Sequence, residues 1–266
     1  MNNWWPMATE SSTTPWVIAA GAVILLTSVL SSSGLPDDEP TLTGHRSSNQ
    51  LGKEGFRPLL SGATLTGWDV KPWLEGHWVA RDGVIDYDGR GEGKRFADNT
   101  LWTTDEFGDF VLYVEWRLPA QPEMKPQPIV LYNGDFLMRE DNPRQRATRL
   151  RLDAGDSGIL MRGTIKCQAN IWSQELGSGE INGYRTDGAM PPEVRRTCIP
   201  IKNADRPFGE WNVFEITLRG ESITVVLNGE TVINSARLPD LPPTGPIGLQ
   251  HHGDPVQFRK IFLKRL

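Results

Sequence analysis

Apolar and polar residues alternate over residues 112–118 of the segment FVLYVEWRL at 110–118. Phe110, Leu112, Val114, Trp116 and Leu118 fall on one side and Tyr113, Glu115 and Arg117 on the other, because successive side chains of an extended chain point to opposite faces. The same period recurs at 76–87, 158–172, 211–219, 222–228 and 246–251, each segment bounded by Gly, Pro or Asp. Many short strands at this spacing predict an all-β domain, a sandwich or a barrel. No part of the body carries a convincing helical stretch. RGES at 219–222 and LNGE at 227–230 are hairpin signals, so the C-terminal third is expected to be a meander. Residues 119–151, with Pro119, Pro122, Pro126, Pro128 and the run REDNPRQRATRLR, read as a long surface insertion.

The amino terminus has a different pattern. Residues 16–30, WVIAAGAVILLTSVL, carry no charge, yet they fall short of the roughly 20 residues that span a bilayer. Residues 1–33 are expected to be a signal peptide, with Ser31 and Ser33 before a cleavage point, or a membrane anchor. The absence of Lys and Arg ahead of the segment favours the second and its length the first. Either makes the protein exported, periplasmic or held at the cell envelope, with membrane contact only through residues 16–30. Residues 34–53 are rich in Pro, Ser, Asp and Thr and read as a flexible linker, leaving 54–266 as the folded domain.

Charge and cysteine content narrow the classes. With 28 Lys and Arg against 33 Asp and Glu, a net charge of −5 and no long basic run, nucleic acid is excluded as a partner. Cys167 and Cys198 permit one disulfide or two buried thiols. A nucleophile elbow, a phosphate loop, a dinucleotide fingerprint and a zincin motif are all missing. The oligomeric state is left open.

The polar faces of the strands carry the chemistry. Lys166, Gln168 and Asn170 alternate with Ile165, Cys167, Ala169 and Ile171; Arg162 opposes Met161; Gln250 and His252 oppose Ile247 and Leu249. The plain reading of one such face is that it meets water. Amides, Arg, Glu and His on several strands, with Trp102, Trp172 and Tyr184 near in sequence, are also what a sugar-binding face needs: planar donors and acceptors for hydroxyls, flat rings for C–H faces. Asp153 and Asp156 of LDAGDSG read as a turn or a calcium-binding pair, and His251 or His252 as a base or a metal ligand.

Six ordered motifs, GFRPLLSGATLTGWDV, WVARDGVI, TTDEFGDFVLYVEWRL, DSGILMRG, FGEWNVFEITLRGESITVVLNGETV and GPIGLQHHGDPVQFRKIFL, resemble the 3-keto-disaccharide hydrolase family, also described as 3-keto-glucoside 1,2-lyases and 3-keto-2-hydroxy-glucal hydratases. The resemblance covers about residues 54–266. It implies a concanavalin-like jelly-roll β-sandwich acting on a carbohydrate substrate. A C3 ketone acidifies the C2 hydrogen, so one base removes that proton while the C1 oxygen leaves, and water later adds back. No pair of carboxylates flanking an oxocarbenium ion is required. The enolate needs cationic or hydrogen-bonding donors, or a divalent metal ion; no other cofactor is implied. Matched position by position, the family nominates Glu115 or His252 as the base, with Arg162, Gln168 and Gln250 as ligands for the sugar oxygens. Trp172 or Tyr184 would pack on the ring, and Glu180 would supply a carboxylate from the 173–188 loop. Lys166 stands where many relatives carry Glu, which leaves a non-catalytic carbohydrate-binding or cell-surface module as the alternative.

Overall fold

A computed structural model of the protein describes residues 43–266 apart from Lys94. The hydrophobic segment 16–30, with its cleavage or anchoring, lies outside the described residues; among those, no helix is long and apolar enough to cross a membrane.

Two antiparallel sheets make the body. The larger one runs Glu230–Arg237, Ser222–Leu227, Asn212–Arg219, Phe110–Arg117, Val256–Arg265, Val84–Tyr87, Trp78–Arg81, with Arg57–Pro58 added beside Val256–Arg265. The smaller one runs Thr164–Trp172, Asp156–Met161, Gly248–Leu249, Leu101–Thr103, Trp68–Asp69. Strands far apart in sequence lie side by side, as expected of a jelly-roll sandwich. Phe110, Leu112, Val114 and Trp116 of the larger sheet share one core with Ile159, Met161, Ala169, Ile171, Ile247 and Leu249 of the smaller. Each such side chain, withdrawn from water, contributes roughly 1.5–3 kcal/mol.

Some expected segments divide. The 76–87 segment is a hairpin turning at Asp82 and Gly83, with φ of 50° and 76°. The 158–172 segment turns at Arg162 and Gly163, with φ of 52° and 68°; two positive φ values match the twist of paired strands. Ile165 is 63% exposed, not in the core, because the register shifts between Thr164 and Gln168 and breaks the alternation there. The 119–151 insertion is itself a long hairpin, Glu123–Pro128 paired with Thr148–Asp153. The body also holds two short helices, Asn182–Thr186 and Pro192–Thr197.

The linker reading of 34–53 also needs correction at its C-terminal end. Ser48–Lys53 form a helix capped by Ser47 and Gln50 in a reciprocal capping box. Its Leu51, fully buried, joins Phe56, Tyr113, Val213 and Phe262 over the outer face of the larger sheet. One large apolar residue among residues 43–53 is enough to dock that segment, because the face offers an apolar patch to cover. Cys167 and Cys198 are free and buried, not bridged, and burial pushes each thiol up to about 12.

Candidate functional site

Cross-strand partners in an antiparallel sheet point to the same side, so the register of the smaller sheet defines its outer face. One row reads Gln168, Leu160, Gly248, Trp102, Asp69. The next sets Asn170 across from Gly158, whose carbonyl accepts from the Gln250 amide N–H at 2.9 Å. The third sets Trp172 across from Asp156. His252, two residues beyond Gln250, reaches this last row, its Nε2 4.0 Å from Asp156 Oδ2.

The middle of the face is an amide array. Gln168 Nε2 donates to Gln250 Oε1 at 2.7 Å and to Asn170 Oδ1 at 2.7 Å, and Gln250 Nε2 donates back to Gln168 Oε1 at 3.2 Å. Gly158 makes this possible: a Cβ there would stand 2.5 Å from Gln168 Nε2. A cavity of about 530 Å³ opens beside the array, lined by Leu160, Lys166, Gln168, Asp187 and Gln250 among others. It shares Ala97 and Thr100 with a groove containing Trp73 and Trp102.

The row at the far side is acidic. The backbone N–H of Asp156 donates to Asp254 Oδ2 at 3.0 Å, and Gly155, at φ +126°, keeps that approach open, since a Cβ would lie 2.6 Å from Asp254 Cβ. Asp156 Oδ1 is buried with no hydrogen-bond partner. Burial, then the negative charges of Asp254, Glu180 and Asp153, raise the Asp156 carboxyl well above its ordinary value. Burial lowers His252 below 6.5 against the pull of Asp254 and Asp153. A carboxyl inclined to keep its proton thus stands beside an imidazole inclined to be neutral, the combination that proton transfer in both directions requires. Glu180, fully buried, lies 2.7 Å from Arg185 Nε; burial, partly offset by that guanidinium, pushes it up to about 7.

Of the residues nominated from sequence, the fold gathers Gln168, Trp172, Gln250 and His252 on this face, with Lys166 in its wall and Glu180 behind it. Lys166 Nζ is paired with Asp187 Oδ2 at 2.8 Å and lies 4.6 Å from the centre of the Tyr184 ring. Three others are elsewhere. Glu115 is on the outer face of the other sheet, with no exposed surface, bound by His45, Tyr113, Arg259 and Lys260; its strand belongs to the larger sheet, so its polar side points the opposite way. Arg162 is buried at the sheet end, donating to the carbonyls of Gly108, Gly220 and Pro242 and to Asp109. Tyr184 is in the core, its hydroxyl donating to the Pro239 carbonyl at 2.9 Å. Asp254 joins the site without having been nominated, and Asp156, read from sequence only as a turn or calcium-binding residue, joins it beside His252. Counting two residues at a time back from Leu160 through Gly158 places Asp156 on this face, a signal that its turn-like LDAGDSG context obscures. No group of three or more His, Cys, Asp or Glu among the described residues converges closely enough to hold a metal ion.

The outer face of this jelly-roll offers amides, rings and a neighbouring carboxyl and imidazole, and the family to which the chain belongs makes it a carbohydrate-active protein. The chain belongs to the 3-keto-alpha-glucoside-1,2-lyase-like domain family, whose profile matches residues 55–264. Two crystal structures of provisionally assigned glycosyl hydrolases from Parabacteroides distasonis share the fold. One, 21% identical, covers 80% of this chain and 84% of its own with a TM-score of 0.53; the other, 17% identical, covers 83% and 98% with a TM-score of 0.53. No curated protein matches the chain.

Proposed function

We propose that the domain cleaves the glycosidic bond of a 3-keto-glucoside by elimination across C1 and C2 followed by hydration. The observation that carries this reading, on a chain of this family, is the His252 and Asp156 pair on the ring-and-amide face of the smaller sheet. Neutral His252 takes the C2 proton, acidified by the C3 ketone; the C–H electron pair becomes the C1–C2 double bond; the C1–O bond breaks and its oxygen receives a proton from Asp156. In the second step water adds at C1, its proton going to Asp156, and His252 returns a proton to C2. The array of Gln168, Asn170 and Gln250 supplies dipoles for the enolate and ring hydroxyls, and Trp172 supplies a flat surface beside them.

The test is release of aglycone from a 3-keto-glucoside followed against pH. Activity passes through a maximum and falls on both sides of it, because the reaction needs His252 neutral, a group lowered from 6.5 by burial, and Asp156 protonated, a group raised above its ordinary value by burial and by Asp254. The two limbs belong to the pair, since the groups interact. His252→Gln and Asp156→Asn each lower kcat by about 10²–10⁴. Full turnover in both variants overturns the assignment. Saturable glycan binding without any release would instead make this a binding module, with Lys166 in place of a family carboxylate as the reason.

A further inference from the structure

A second cavity, of about 610 Å³, is bounded by the 123–153 hairpin and the loop 203–210. Its walls mix polar groups, Arg151, Asp205 and Glu210 among them, with apolar side chains left open to water: Met124 is 57% exposed, Leu150 63%, Leu152 47% and Phe208 44%. Met124 and Leu152 are cross-strand partners, and Leu150 lies two residues from Leu152, so the hairpin presents one apolar face here. A set of large exposed apolar side chains around a cavity marks a ligand or partner surface, not random exposure.

Position selects the ligand. Trp172 lines this cavity, and Trp172 stands directly across the sheet from Asp156. The glycosidic oxygen that receives the Asp156 proton is bonded to the leaving group, which must therefore start within a bond or two of Asp156. We propose that this cavity is the aglycone subsite, and that it takes a planar, largely apolar group, as in aryl or arylalkyl glycosides. The assignment rests on the cleavage reaction proposed above. The sugar ring occupies the amide face, and the aglycone ring lies between the hairpin and Phe208.

The test compares benzyl and methyl 3-keto-glucosides, whose alcohols have similar leaving-group acidity, so that a difference in kcat/KM reports the contact with the ring. Burying a phenyl ring predicts a preference for benzyl on the order of tens of fold. Leu150→Ser and Phe208→Ser, at positions exposed enough to leave folding intact, each shrink that ratio by about fivefold to tenfold. Far-ultraviolet circular dichroism verifies that each variant folds. Equal turnover of the two substrates, or a ratio that neither substitution moves, overturns the aglycone assignment while leaving the cleavage reaction standing. Absence of turnover on both substrates overturns the two together.

Discussion

Replacing Glu115 by Gln separates a structural carboxylate from a catalytic one. Glu115 Oε1 accepts from Tyr113 Oη at 2.8 Å and lies 3.0 Å from His45 Nδ1 and 3.3 Å from Lys260 Nζ, while Oε2 accepts from Arg259 Nε at 2.6 Å. Burial alone would raise this carboxyl; the His45 hydrogen bond and the charges of Arg259 and Lys260 outweigh it and hold the group at about 2 instead of 4.5. At ~1.4 kcal/mol per pH unit, that difference is worth about 3 kcal/mol to the folded state at neutral pH. Removing one partner of a buried pair costs about 3–5 kcal/mol, and because Arg259 and Lys260 keep 18% and 23% of their side-chain surface, the lower end applies. For a domain of this size the melting temperature should fall by roughly 6–12 °C. The sign of the pH dependence follows from the lowered value. The stabilisation is fully present above about pH 4.5 and is lost as pH falls toward about 2, so Glu115→Gln flattens the acid limb of the stability profile. Urea unfolding followed by fluorescence of the ten Trp measures this, and aglycone release per folded molecule should stay within about twofold of the parent, since no reacting atom touches Glu115. A variant that melts like the parent but loses activity a hundredfold would refute the reasoning and return Glu115 to the chemistry.

Two further substitutions test the two faces independently. Gly158→Ala places a Cβ 2.5 Å from Gln168 Nε2 and forces the amide out of its pairing with Gln250; losing about one hydrogen bond's worth of order there should weaken ligand binding by about fivefold to tenfold, read by calorimetric titration, and unchanged affinity would remove the array from the site. Leu51→Ala opens a void under the N-terminal helix and should cost about 2–4 kcal/mol, measured by denaturant unfolding; a loss under 0.5 kcal/mol would mean that the helix does not belong to the cooperative fold.

Strand 110–117 was legible in the sequence because alternation is a local property, and its inward residues are those read from the pattern. What the alternation does not carry is the sheet to which a strand belongs. Glu115 and Gln168 both lie on the polar side of an alternating strand, yet Phe110–Arg117 pairs with Asn212–Arg219 and Val256–Arg265, while Thr164–Trp172 pairs with Asp156–Met161. The two polar sides therefore leave the sandwich in opposite directions, and for Phe110–Arg117 that outcome depends on partners about a hundred residues or more further along the chain. Arg162 misled for a different reason: a hairpin turn with Arg in a left-handed conformation lacks the usual Asn-Gly or Asp-Gly signature, so two strands read as one.

The carboxylates sharpen the point. Glu115 is wholly withdrawn from water and Asp156 has one carboxylate oxygen withdrawn, and residue type alone ranks neither above the other as an acid or base. Glu115 is ringed by His45, Arg259 and Lys260 and is held ionised; Asp156 is ringed by Asp254, Glu180 and Asp153 and is held toward its protonated form. An ionised, fully paired carboxylate stabilises the fold and has no proton to give. A carboxyl among like charges, with one oxygen unpartnered, costs stability and is inclined to keep its proton, which is the trade expected at a reaction centre. The sign of the neighbours, set by which strands meet, thus separates the two roles that the sequence left joined.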